Sequence, residues 1–199
     1  MLGRSGEPRP ARGAGATETL KKLVLAALVI AVLAGLALAP LPLPGTTRVA
    51  SSIVIARAPD VVYAYVTTPA NWPKWHPSSL AVSGAADHSL AVGDKVTEDF
   101  IVAGRKGRVV WTAVKRDAPR EWIIEGDVEG RKAGVITYRL TPSGGGTRFD
   151  RELVYGSPNL LFLALNYLTI RARVEAESEQ AVRNLKERLE NVRQEPVSK

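Results

Sequence analysis

The chain has 199 residues, a formal net charge of +7, 45% hydrophobic residues, no Cys, one Met and two His. That length holds one ordinary domain and an additional segment. Without Cys there is no disulfide framework, thiolate nucleophile or Cys-ligated metal centre, and two His twelve positions apart leave no histidine cage, so neither metal nor cofactor is expected.

Charge is uneven along the chain. Residues 1–22 carry Arg4, Arg9, Arg12, Lys21 and Lys22 against Glu7 and Glu18, a local charge of +3, which leaves +4 for everything after them. Rich in Gly, Arg, Pro and Ala, this basic tail has too little apolar content to fold and is expected to be disordered. Residues 23–39, LVLAALVIAVLAGLALA, follow without a charge or polar side chain. As a helix they span ~26 Å, and Leu41 and Leu43 extend the apolar reach toward the ~30 Å hydrocarbon core of a bilayer. A core helix of a globular protein keeps a polar face, and this one has none. A transmembrane anchor over 23–43 is therefore expected. A cleaved signal peptide is the alternative, with secretion as its consequence. The run is longer than a signal core, and a cut after Ala39 would leave Pro40 in a position that signal peptidase tolerates poorly. The cations ahead of the helix outnumber those just after it, which places the N-terminus in the cytoplasm and the remainder outside.

Residues 46–57 read as a first strand carrying Val49, Ile53 and Ile55. Pro59 suits a first helical turn, with Val62, Tyr65 and Val66 at helical spacing before Pro69. Next comes a turn-rich segment holding Trp72, Trp75 and His76, then a short extended stretch, 80–83. Strands are expected at 95–103, 108–115, 121–128, 133–141 and 147–155, with turns at GRKG, RDAPR, EGRK and PSGGG between them. Ser157 is a plausible N-cap and Pro158 a first helical residue. Leu160, Leu163, Tyr167, Ile170, Val174, Ala181, Leu185, Leu189 and Val192 then recur at steps of three or four, with a polar gap at Ser178, so one stripe of a long amphipathic helix can lie on the sheet. The domain is expected over 46–193, with a tail at 194–199.

This order, strand, two short helices, six-stranded meander and long C-terminal helix, is that of an α+β domain in which a curved antiparallel sheet wraps the final helix. The chain resembles the SRPBCC superfamily (START-like, helix-grip fold), within it the polyketide cyclase/dehydrase-like proteins. The resemblance is carried by Ala58-Pro59-Asp60-Val61-Val62-Tyr63, by Trp72-Pro73-x-Trp75-His76-Pro77, by Val92-Gly93-Asp94 before a strand, and by Gly144-Gly145-Gly146-Thr147-Arg148 before the last strand. These motifs mark the fold and are silent on the substrate.

No nucleophile elbow G-x-S-x-G is present, and the tri-glycine leads into a strand rather than a helix N-terminus, so it is a hairpin turn and no phosphate loop. His76 could serve as an acid/base if buried near a ligand, or be a structural turn residue. Trp72 and Trp75 could border a ligand mouth or pin the short helices to the sheet. Alternation places Glu98 between Val96, Phe100 and Val102, and Arg151 between Phe149, Leu153 and Tyr155. Facing the helix, the two charges would be the polar groups of a greasy cavity; a slip of one residue would send both to solvent.

Hairpin turns of a meander alternate between the two ends of a sheet, so the GRKG and EGRK turns share one end with the start of the last helix. Arg105, Lys106, Arg108, Arg131 and Lys132 cluster there, and LLFLALNYLTI at 160–170 is more apolar than a single core stripe requires. The resemblance implies that these elements frame a cavity entrance, here a greasy one ringed by cations. It would accept an apolar molecule with an anionic head or dock on anionic lipid. Five cations at turns are too small a footprint for nucleic acid.

The expected function is membrane-anchored binding or transfer of a hydrophobic small molecule or lipid. Trp75, Phe100, Trp111, Trp122, Tyr138, Tyr155 and Phe162 would line the cavity, with Arg151 and Glu98 as polar markers. The alternative is a cyclase/dehydrase-like enzyme in which Glu98 or His76 moves a proton.

Overall fold

The structure, a computed structural model, describes residues 14–40 and 46–191. Most of the basic tail, Leu41, Leu43, Val192 and the 194–199 tail lie outside them.

Helix α1 covers Ala14–Leu38, starting ahead of the apolar run because Ala, Glu, Leu and Lys, all good helix formers, precede it. Its segment Glu18–Leu38 is long and apolar enough to cross a membrane, and its leucines and valines are exposed among the described residues. A membrane anchor and a signal sequence share this appearance.

The domain begins with β1 (Thr46–Ile55), α2 (Pro59–Val66) and a 3₁₀ turn (Pro69–Lys74). Strands β2 (Ser79–Gly84), β3 (Lys95–Val102), β4 (Arg105–Asp117), β5 (Glu121–Val128), β6 (Arg131–Ser143) and β7 (Gly146–Gly156) follow. They form one seven-stranded antiparallel sheet in the order β1-β7-β6-β5-β4-β3-β2, the expected curved-sheet helix-grip architecture. Three hairpins close on two residues with left-handed backbones: Ala103-Gly104, Glu129-Gly130 and Gly144-Gly145. Such tight turns match the right-handed twist of the strands. They also correct the expected GRKG and EGRK turns: Arg105, Lys106, Arg131 and Lys132 already belong to strands.

The final helix departs from the expected single stripe. It starts at Leu160, capped by Asn159, whose Oδ1 accepts from the Phe162 N–H at 2.8 Å; Ser157, the expected cap, is buried with its hydroxyl unpartnered. Helix α3 (Leu160–Leu165) passes through a π turn (Asn166–Ile170) into α4 (Arg171–Asn191). The π turn resets the helical phase. Val174, Ala181, Leu185 and Leu189 pack inward as expected, whereas Leu160, Leu163 and Tyr167 face solvent. The core lies between the concave sheet face, α2, the 3₁₀ turn and α4.

Candidate functional site

Strand alternation and the tight hairpins fix which side chains face α4. Along each central strand the concave-face residues lose burial toward the end where α3 begins. Leu140, Tyr138 and Ile136 on β6 are buried and Gly134 is half-buried; Phe149 and Arg151 on β7 are buried, Leu153 and Tyr155 half-buried. On β5, Trp122, Ile124 and Gly126 give way to half-buried Val128, and on β3, buried Val96 gives way to Glu98, Phe100 and Val102. The sheet–helix interior is thus fully covered at one end and only half-covered at the other.

The closed end is an aromatic floor. Ring centroids of Tyr138 lie 5.1 Å from Phe149, 5.3 Å from Trp122 and 6.4 Å from Trp75, and Trp72 meets Trp122 edge-on at 6.3 Å. Higher up, two large rings lie over glycines. A Cβ on Gly126 would stand 2.6 Å from the Trp111 ring, and one on Gly107 would stand 2.5 Å from the Phe100 ring, so both strands carry Gly where an aromatic crosses.

Between floor and opening sits a buried polar centre. Trp122, Tyr138, Arg151 and Ser51 stand side by side across β5, β6, β7 and β1. Arg151 is only 4% exposed, and its Nη1 donates to Ser178 Oγ on α4 at 2.9 Å. Among the described residues the Arg151 Nε has no partner, nor have Ser51 Oγ, Trp75 Nε1, His76 Nε2, Ser79 Oγ and Trp122 Nε1. Each such buried, unsatisfied group costs about 1–3 kcal/mol unless a ligand or water meets it. Glu98 approaches from β3, since curvature brings that strand across the hollow; its carboxylate accepts from Trp111 Nε1 at 2.7 Å.

Electrostatics follow from burial. Desolvation raises the Glu98 carboxyl above the ordinary value of 4.5, opposed by the neighbouring Ser79 hydroxyl, the Trp111 indole and the Arg151 charge. Ser79 makes no hydrogen bond of normal geometry there. Burial pushes Tyr138 up to about 12, with Arg151 pulling the other way. His76 is held well below 6.5 by burial and then by the Arg151 cation. Its Nδ1 accepts from the Ser78 N–H at 3.2 Å, which places the proton on Nε2. At neutral pH His76 is therefore a neutral donor without a proton to give as an acid. Glu98 and Arg151 feel each other's charge, and no ion pair joins them among the described residues.

Of the two faces that the sequence left open for Glu98 and Arg151, the inner one is occupied by both. Trp75, Trp122 and Tyr138 form the floor rather than the mouth; Trp111 lies above them, and Phe100, Tyr155 and Phe162 are half-buried toward the opening. The basic ring is only partly at the mouth. Arg108 turns to the convex face in a two-pronged pair with Asp99, at 2.7 and 3.3 Å, and Lys132 pairs with Glu125 at 3.3 Å. Alternation explains Arg108, and an irregularity between the Gly126–Gly134 and Asp127–Lys132 pairs turns Lys132 outward. Three contributors escaped the sequence reading: Ser51, Ser79 and Ser178. The polar gap at Ser178 in an otherwise apolar stripe was their one visible signal. Among the described residues no group of three His, Asp or Glu side chains could hold a metal ion.

The family model for polyketide cyclase / dehydrase and lipid transport matches residues 46–190. Among solved structures, TTHA0849 from Thermus thermophilus aligns with a TM-score of 0.61 at 16% identity, covering 72% of this chain and 97% of its own. A Rhodobacter sphaeroides protein aligns at 0.55 and 20%, covering 74% and 94%, and Ms6760 from Mycobacterium smegmatis at 0.54 and 19%, covering 73% and 92%. At such identities these likenesses concern the fold alone. No curated protein matches the chain. The sheet order, the wrapped C-terminal helix and a match over the whole domain make this chain a member of the polyketide cyclase/dehydrase and lipid transport family, within the SRPBCC superfamily.

Proposed function

We propose that α1 anchors the chain in a membrane and that its domain binds a hydrophobic small molecule or lipid between the sheet and the C-terminal helix. Apolar ligand surface buried there would contribute about 25 cal/mol per Å². One observation carries the reading: a buried guanidinium, with an Nε that meets no partner among the described residues, stands between the aromatic floor and the half-buried end of the sheet–helix interior. Arg151, with the neutral donors around it, would hold the polar group of the ligand, and Phe100, Trp111, Tyr155 and Phe162 would flank its apolar part. The cations ahead of the apolar run 23–39 favour a cytoplasmic N-terminus and an extracytoplasmic domain. Native mass spectrometry of the detergent-purified chain, followed by solvent extraction, tests this. An apolar molecule bound at one per chain is expected, and ligand-free protein from several expression hosts would overturn the proposal.

The desolvated Glu98 carboxyl, raised above its ordinary value beside the Trp111 indole, favours a second reading, proton transfer to or from a bound polyketide-like substrate. Under it, Glu98→Gln protein would retain substrate in place of product, a molecule that differs from the one held by the parent in chromatographic mobility and fragmentation even where the two are isomers. Molecules identical in mass, mobility and fragmentation from the two proteins would leave binding alone.

A further inference from the structure

Helix α3 and the π turn carry an apolar surface that the domain does not cover. Leu160, Leu161 and Leu163 are exposed, Leu168 is 69% exposed and Tyr167 is 87% exposed. Apart from its own continuation, α3 packs chiefly on α1, and Pro40, just past α1, bridges to Asn159 in front of α3. Strand β1 starts at Thr46 opposite Gly156, at the same end. From Pro40 to Thr46 the chain can extend no more than about 22 Å. Wherever α1 is embedded, the open end of the hollow stays within that reach of the membrane surface.

The orientation of the apolar surface is fixed rather than incidental. Asn166, buried inside the π turn, accepts from the Tyr155 hydroxyl at 2.7 Å and donates to Thr47 Oγ1 at 2.8 Å, tying the turn to β7 and β1. Across the mouth, Glu177 accepts from the Ala103 N–H and Arg173 donates to the Ala103 carbonyl, so the β3–β4 hairpin tip rests on the start of α4. Arg105, Lys106 and Arg131 border the mouth without an ion pair among the described residues, with Glu129 the acid among them.

We propose that this end lies on the anionic surface of the same membrane that holds α1. The leucines and Tyr167 of α3 and the π turn are immersed at the headgroup level, and the hollow opens directly to the leaflet. The ligand is then a lipid of that leaflet, taken up without passing through water. The inference rests on the anchor and binding readings above and adds where the mouth points.

Because the chain has no Cys, a single introduced thiol can be labelled cleanly. Full-length protein carrying an environment-sensitive fluorophore at Leu161→Cys, Leu168→Cys or, on α4, Glu187→Cys would be reconstituted into phosphatidylcholine vesicles with and without phosphatidylglycerol. Labels at 161 and 168 are expected to shift to the blue, to be quenched by nitroxides on the acyl chains and to be shielded from iodide. The effect should be greater with phosphatidylglycerol and should fall in an Arg105→Glu/Lys106→Glu background; the label at 187 should behave oppositely. Iodide access at 161 and 168 in both vesicle types would overturn docking. So would shielding without acyl-chain quenching, which marks a second copy on α3, or failure of the chain to float with vesicles, which removes the anchor as well. Ligand extraction from the same samples separates the readings: a filled hollow with water-exposed α3 ends docking alone, and a docked protein with an empty hollow ends ligand uptake alone.

Discussion

Arg151 is a cation placed where an apolar residue would stabilise the fold better. Its guanidinium donates to Ser178 and lies in hydrogen-bonding reach of the Tyr138 hydroxyl, its Nε is unmet among the described residues, and Glu98 is near enough to be felt but not paired. Replacing an imperfectly compensated buried charge with an apolar side chain of similar volume is often stabilising. Glu98 tolerates the loss because burial already favours its neutral form. Arg151→Met is therefore expected to unfold at a higher temperature than the parent, by about 1 kcal/mol or more in stability, while retaining less co-purified ligand. A variant that is less stable yet fully loaded would show that Arg151 serves the fold and not the ligand. That Arg151 shares a face with Phe149, Leu153 and Tyr155 was readable from the alternation; which way that face points was not, because it depends on register. The isolation of Arg151 was not readable, because the distance from β7 to Glu98 on β3 depends on curvature accumulated over three intervening strands.

Among the elements, the final helix shows how a periodic pattern can mislead. The steps of three and four run without a break from Leu160 to Val174, and a regular helix would have kept all of those residues on the sheet. The π turn intervenes because Asn166, a lone amide in an apolar run, is drawn in to meet Tyr155 and Thr47. The sequence did hold that signal: an Asn within LLFLALNYLTI has no reason to be there unless something polar waits for it. Asn166→Ala removes both bonds and leaves the Tyr155 hydroxyl without its acceptor, a cost of about 1–3 kcal/mol. Hydrogen exchange is expected to accelerate over 160–170 while α4 from Val174 onward, held by Ala181, Leu185 and Leu189 in the core, keeps its protection. Acceleration spread evenly along the whole helix would mean that Asn166 is not a local clamp.

For the molecule as a whole, two buried groups set opposite pH responses, and their separation tests whether the polar centre is as dry as the structure places it. Glu98 has a folded pKa above its unfolded value near 4.5. Both states are protonated below that value, so no penalty exists there. As pH rises past it the unfolded chain ionises first, and stability falls until the folded carboxyl ionises too. His76 has a folded pKa well below its unfolded value near 6.5. Both states are neutral above 6.5. As pH drops below it the unfolded chain takes up the proton first, and stability falls toward the acid side. Between about 4.5 and 6.5 the two slopes oppose each other. Thermal unfolding of the detergent-solubilised chain, with each variant subtracted from the parent, cancels exposed pairs such as His88 with Asp87 and Asp94. Glu98→Gln is expected to steepen the loss of stability on acidification through this window, since only the histidine response remains. His76→Asn should do the reverse, giving a protein that gains stability as pH falls toward 4.5. Parallel profiles for parent and both variants would mean that water reaches Glu98 and His76 freely, and a hollow wetted to that depth would not hold the polar end of a ligand on Arg151.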